Sequence, residues 1–215
     1  MTKQKIIGVM IALGIMALFL TGYISYFEPR QQSENLDISD NDYLNMSQFT
    51  LQSPAFTNGG FIPAKYTCDL PAQAGEKNIS PPLIIANVPP NARTLVLLMD
   101  DPDVPKNLRP DGVFDHWTVY NIDSQTSFID EGQIFGTTGL NSSGKSAYTG
   151  PCPPPQYKPT THRFFFKLYA TDLGTLNFIK APSKKDVLEA IQGHIIDETE
   201  LMGLYDRTKT AKEND

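Results

Sequence analysis

Four short stretches of the chain carry residues able to do chemistry. They are Asp100-Asp101-Pro102-Asp103-Val104-Pro105, Asp115-His116-Trp117, Tyr148-Thr149-Gly150-Pro151-Cys152-Pro153-Pro154 and His162-Arg163-Phe164. A carboxylate beside an imidazole favours the charged imidazolium, which donates charge-assisted hydrogen bonds to anionic oxygens. Taken singly, an Asp/Pro turn or a histidine at a strand end is an ordinary structural feature. Here each stretch puts a polar or rigid group at the end of an apolar strand, and that recurrence points to one shared pocket.

Other chemistries find little support. There is no G-x-S-x-G serine elbow and no H-E-x-x-H zinc pair, and His116, His162 and His194 lie far apart in sequence. Two cysteines, Cys68 and Cys152, cannot form a four-thiolate zinc site. The run Gly139-Leu-Asn-Ser-Ser-Gly144-Lys145-Ser146 fits the phosphate-loop pattern, but the mechanism needs a helix directly after it. The continuation Ala147-Tyr-Thr-Gly150-Pro151 leads into more prolines, so a polar surface loop is the better reading. No cofactor and no metal is called for.

The elements that must position these groups are strands. Leu83–Val88, Thr94–Met99, Trp117–Ile122 and Arg163–Ala170 are strand-length and rich in β-branched or aromatic residues. Large side chains on both faces of Trp117–Ile122 predict a central strand of a sandwich or barrel. One helix is expected after Ser183, with Asp186 completing a capping box, Val187, Leu188 and Ile191 as the apolar stripe and Gly193 as the left-handed stop. A second helical turn is expected around Glu198–Gly203. The 17 prolines, crowded into runs such as Pro151-Cys-Pro-Pro-Pro155, exclude a helical bundle. The fold class is therefore mostly β: a β-sandwich with a few peripheral helices, preceded by one N-terminal transmembrane helix.

That last element follows from charge. Ile6 to Phe27 contains no charged residue, and a helix of that length rises about 30 Å, the hydrocarbon thickness of a bilayer. Lys3 and Lys5 precede it and Glu28 follows, which keeps the N-terminus in the cytoplasm and exports the body. Residues 1–27 thus read as a membrane anchor, with secretion after signal cleavage as the alternative. Residues 28–48 carry Arg30 against Glu28, Glu34, Asp37, Asp40 and Asp42 and read as a flexible acidic tether. Residues 49–207 form the single β domain and 208–215 a tail. The net charge of −6 gives no general reason to bind nucleic acid. In an exported domain the first reading of Cys68 and Cys152 is a disulfide; the alternative is two buried free thiols.

In order along the chain, Ile62-Pro-Ala-Lys-Tyr-Thr-Cys68-Asp69, Asn78-Ile-Ser-Pro-Pro-Leu83, Asp101-Pro-Asp-Val-Pro105, His116-Trp117, Tyr148-x-Gly150-Pro-Cys-Pro-Pro154, His162-Arg163-Phe164-x-Phe166-x-Leu168-Tyr169, Gly193-His194-Ile195-Ile196 and Gly203-x-Tyr205 form a pattern spanning about Phe49 to Arg207. This pattern resembles the phosphatidylethanolamine-binding proteins, in particular their bacterial Raf-kinase-inhibitor-like branch. The resemblance implies a β-sandwich with a small anion-binding pocket formed by Asp101, His116, Pro153 and His162, with Tyr148 and Gly150 shaping its rim and Asp101 orienting a histidine. The chain departs from the family pattern at Pro155–Pro159, where a glycine is usual. It departs again at Phe164, where many members carry tyrosine, and in an insertion over residues 70–77.

The expected function is an exported, membrane-tethered binding module for a small anionic or phosphate-bearing ligand, and not an enzyme. Some relatives modulate kinases or proteases by binding them, but nothing in this sequence names a protein partner. The alternatives are a hydrolase using His116 or His162 as a base on water, which lacks a clear nucleophile, and an interaction protein whose pocket is vestigial.

Overall fold

A computed structural model describes residues 48–69 and 78–209. The expected anchor over residues 1–27, nearly all of the expected tether, the expected insertion over 70–77 and the end of the expected tail lie outside the described residues. Among the described residues no helix is long and apolar enough to cross a membrane.

Two sheets carry the fold. Strands β1 (Thr50–Gln52), β2 (Leu83–Ala86) and β5 (Phe128–Ile129) make a small antiparallel sheet in the order β1-β2-β5. Strands β3 (Thr94–Asp101), β4 (Phe114–Asp123), β6 (Thr137–Thr138), β7 (Thr161–Thr171) and β8 (Ile195–Asp206) make a larger one, ordered β6-β4-β3-β7-β8. All of its neighbouring pairs are antiparallel. The middle strand is β3, every residue of which is buried; β4, which the sequence suggested as central, lies between β3 and the two-residue β6.

Burial on both faces of β3 has a simple cause. Leu95, Leu97 and Met99 point into the main core, with Leu51, Leu83, Ile85 and Ile129 of the small sheet and Phe164, Phe166 and Leu168 of β7. Val96 and Leu98 point the other way, into a smaller cluster with Tyr120, Val187 and Ile191. The last two belong to α1 (Lys184–Ile191), so the large sheet lies between the small sheet and one helix. Each fully buried Leu or Phe contributes about 1.5–3 kcal/mol to this arrangement. Helix α1 begins as its sequence predicts: the Ser183 hydroxyl accepts from Asp186 N, and the Asp186 carboxylate accepts from Ser183 N. Gly193, at φ 80°, ends it.

The helical turn expected at Glu198–Gly203 is instead part of β8. Residues Thr161 to Ala170 of β7 pair in unbroken register with Asp206 to Asp197, and that ladder outweighs the local preference of a Glu-rich segment. Leu201, Gly203 and Tyr205 alternate inward as a strand requires. Gly203 has to be glycine: a Cβ there would lie 2.5 Å from Ile62 Cγ1 and 2.9 Å from Phe56 Cε2.

Candidate functional site

Strand parity delivers one side of the site. Along β3, Asp101 follows Met99 by two and shares its face, whereas Asp100 shares the face of Leu98. Along β7, His162 precedes the core residues Phe164 and Phe166 in the same alternation. The two polar residues therefore meet at the end of the core, where His162 Nδ1 donates to Asp101 Oδ2 over 2.6 Å.

A β-bulge delivers the other side. Met99 pairs with Trp117 and Asp100 with Asp115, so β4 holds one residue more than β3 between those pairs. The extra residue is His116. Strict alternation would turn it away from Trp117; the bulge instead brings its imidazole to the cavity that Asp101 and His162 line. There His116 Nδ1 donates to the Thr149 carbonyl over 2.6 Å, and Thr149 N donates back to the His116 carbonyl over 3.0 Å.

The third wall is the segment after Thr149. Tyr148 Oη donates to the Tyr66 carbonyl (2.7 Å), Cys68 N donates to the Pro151 carbonyl (3.1 Å), and Gly150 N donates to Asn78 Oδ1 (3.1 Å). Cys68 and Cys152 are bonded, with Cα atoms 5.4 Å apart. Gly150 allows this close seating, since a Cβ there would stand 2.7 Å from the Tyr66 carbonyl oxygen. Prolines then keep the wall stiff, which limits the entropy lost on ligand entry.

These walls enclose a cavity of about 300 Å³. Asp101, His116, Gly150, Pro153 and His162 all line it, together with Val104, Leu108, Arg109, Phe114, Thr149, Cys152 and Pro154. Its surface is mainly apolar. Phe164 lies against both imidazoles, 5.3 Å from the His116 ring centroid and 6.4 Å from that of His162, so the departure from tyrosine gives an apolar contact between them.

The two histidines differ electrically. Burial lowers the pKa of His162, but the hydrogen bond and charge of Asp101 outweigh it, and the net shift is upward. The charge of Asp103 acts in the same direction, as does the Pro159 carbonyl, which lies close without reaching hydrogen-bond geometry. His162 Nε2 is buried and makes no hydrogen bond among the described residues. His116 is shifted down, because burial outweighs the Thr149 carbonyl and the more distant Asp101, Asp115 and Asp100. A neutral His116 with its proton on Nδ1 leaves Nε2 as an acceptor. The sequence-based expectation that both imidazoles favour charge therefore holds for His162 alone.

Both oxygens of Asp101 are engaged: Oδ2 with His162 and Oδ1 accepting from Asp103 N at 2.8 Å. Asp103 in turn accepts from Arg163 N, Nε and Nη2, ties the Asp-Pro turn to β7, and is held below the usual carboxylate range because those bonds outweigh its burial.

Residues 52–206 match the family model described as phosphatidylethanolamine-binding protein. The chain belongs to that family. A UPF0098 protein of Chlamydia pneumoniae is 45% identical over 159 residues, covering 74% of this chain and 99% of the relative. Another, from Methanothermobacter thermautotrophicus, is 42% identical over 164 residues, covering 73% and 98%. Among solved structures, a phosphatidylethanolamine-binding protein homologue from Chlamydia trachomatis superposes with a TM-score of 0.67 at 42% identity, covering 75% of this chain and 99% of its own. The YbcL protein of E. coli shares the fold, with a TM-score of 0.62 at 22% identity.

Within this phosphatidylethanolamine-binding domain, one residue expected at the rim lies elsewhere. Tyr148 is buried behind the wall and borders a second cavity with Trp117 and Phe135. Its hydroxyl points to the Tyr66 carbonyl because the ring packs edge-on against Trp117 at 5.2 Å. The phosphate-loop look-alike is also a structural device. Asn141 Oδ1 accepts from Ser143 N and Lys145 N, and Ser142 N donates to the Asp115 carbonyl. Those amides are thus already used, and they brace β4 beside His116. Arg109, Leu108 and Val104 were missed as lining residues because they sit in a loop whose return path over the cavity has no periodicity to reveal it.

Proposed function

We propose that this chain is an exported, membrane-tethered binding module whose cavity takes a small anionic, phosphate-bearing ligand, and that it is not an enzyme. The observation that carries this reading is His162. Its imidazole is held toward the cation by Asp101 and lines a mainly apolar cavity, while its buried Nε2 makes no hydrogen bond among the described residues. A protonated imidazole in that position attracts an incoming oxyanion, and at low local dielectric such an interaction is strong.

The lining supports binding over hydrolysis. Among the described residues Thr149 is its only hydroxyl, and Cys152 is tied to Cys68, so those residues offer no activated nucleophile beside either imidazole. Export is supported by the same cysteine bond, which belongs to an oxidising compartment. Tethering rests on the uncharged run Ile6–Phe27 between Lys5 and Glu28.

Titration of the full-length chain with inorganic phosphate tests the site. Saturable binding that displaces the imidazole resonances of His162, and weakens about tenfold or more in H162Q, is expected. No binding at millimolar phosphate overturns the reading. For the tether, the chain is expected to stay with the membrane pellet after alkaline carbonate extraction; recovery in the supernatant overturns it.

A further inference from the structure

Arg109 was not part of the pattern that pointed to this cavity, yet it lines the cavity beside His162. Its side chain is fixed from one edge only. Nε donates to the Val113 carbonyl over 2.7 Å and lies 3.6 Å from Asp111 Oδ1, while Cζ stands 5.6 Å from the Phe114 ring centroid. Nη1 and Nη2 make no hydrogen bond among the described residues, and the guanidinium is ion-paired with Asp111 alone. A guanidinium hydrogen-bonded only at Nε presents the planar fork that matches two oxygens of one tetrahedral anion.

The charge balance of the lining is uneven. Arg109 and His162 supply positive charge, and among the described residues that line the cavity the only carboxylate is Asp101, both of whose oxygens are already engaged. An ammonium group entering the cavity would find no free carboxylate among those residues and would face two cations. Leu108, Phe114, Pro153 and Pro154 offer an apolar surface in its place.

We propose that Arg109 is a second anion anchor, in addition to the imidazole of His162, and that it makes this cavity select an oxyanion bearing an apolar substituent, such as an alkyl phosphate monoester, over the zwitterionic phosphoethanolamine. The inference rests on the anion-binding reading above and narrows its ligand class. One end of the ligand is held by the Arg109 fork and the charge of His162, and the other is held by shape and desolvation alone.

Calorimetric titration of the full-length chain with inorganic phosphate, butyl phosphate and phosphoethanolamine tests it. Butyl phosphate is expected to bind about tenfold or more tightly than inorganic phosphate, from burial of its alkyl chain, and phosphoethanolamine more weakly than butyl phosphate by a similar factor. In R109Q, phosphate affinity should fall about ten- to a hundredfold, and R109K should recover only part of the loss because an ammonium lacks the fork. If R109Q disturbs the loop through the Val113 carbonyl, the ranking of the three ligands on the unaltered chain still decides. Phosphoethanolamine binding as tightly as butyl phosphate, or a folded R109Q that binds inorganic phosphate as well as the parent, overturns the inference while leaving an anion site intact. Failure of all three ligands to bind removes the anion site itself.

Discussion

Asp100 and Asp101 are neighbours in β3, yet they face opposite sides of the large sheet and are treated differently there. On the helix side, Asp100 lies 3.2 Å from Lys184 Nζ and 3.4 Å from Lys167 Nζ, and Lys184 also pairs with Asp115. Burial would lower the pKa of Lys184, but Asp115 and Asp100 outweigh it and hold the ammonium charged. These ion pairs join α1, β3, β4 and β7 at the level of the bulge that carries His116. On the cavity side, Asp101 faces a histidine, whose charge responds to pH in the physiological range. Lysine closes the structural face, and an imidazole with a spare nitrogen remains on the face where a ligand can arrive. The same carboxylate chemistry thus braces one side and poises the other.

The comparison breaks most readily on the helix side. Lys184→Met leaves Asp100 and Asp115 with Lys167 as the nearest cation, and the domain should lose about 3 kcal/mol, as when one partner of a buried pair is removed. Chemical denaturation measures this, and a loss under about 1 kcal/mol would show the network to be solvent-screened. Asp101→Asn should act on function instead. With the carboxylate charge gone, His162 drops toward its ordinary pKa or below, and phosphate affinity at neutral pH should fall, by up to about tenfold for each unit by which that pKa lies below the working pH. Unaltered affinity in a folded D101N would detach Asp101 from the site.

The pH dependence sharpens the contrast between the two imidazoles. His162 is raised in the folded state, so its contribution to stability is fully present below its unfolded pKa, near 6.5, and is lost as pH rises through the folded value. His116 is lowered, so its contribution is lost as pH falls from about 6.5 toward its folded value. Unfolding free energies measured from pH 5 to 9 should therefore lose an alkaline slope in H162Q and an acidic slope in H116Q. The reverse assignment would mean that His116 is the charged partner. The smallest effect belongs to Tyr148→Phe, which removes one buried hydrogen bond to Tyr66. It should cost about 1 kcal/mol and leave phosphate affinity unchanged, because Tyr148 does not line the cavity.

Much of this was legible in the residues. Apolar runs bounded by Pro, Gly and Asp located β2, β3, β4 and β7, and Ser183 with Asp186 located α1, because local patterning and capping act over a few residues. The four stretches that hold the site were readable because each follows or precedes such a run, and the family resemblance singled out Asp101, His116, Gly150, Pro153 and His162 within them. Three features were not. The segment 198–203 looks helical alone and becomes a strand only because β7 offers it a partner across the sheet. His116 faces the cavity only because β4 contains one residue more than β3 at that point, a mismatch visible only when the two are paired. Tyr148 left the expected rim because the Tyr66 carbonyl, distant in sequence, gives its hydroxyl a partner behind the wall.

The sequence by itself determined which residues could carry charge, where strands and helix would begin, and that the chain resembles the phosphatidylethanolamine-binding family. Those properties rest on side-chain chemistry and short-range pattern. Only the tertiary structure decided which imidazole is pushed toward the cation and which away from it, that Arg109 joins the cavity, and that no free carboxylate stands among the described residues that line it. Each of those depends on burial and on hydrogen-bond partners brought from far along the chain, and no local pattern encodes them.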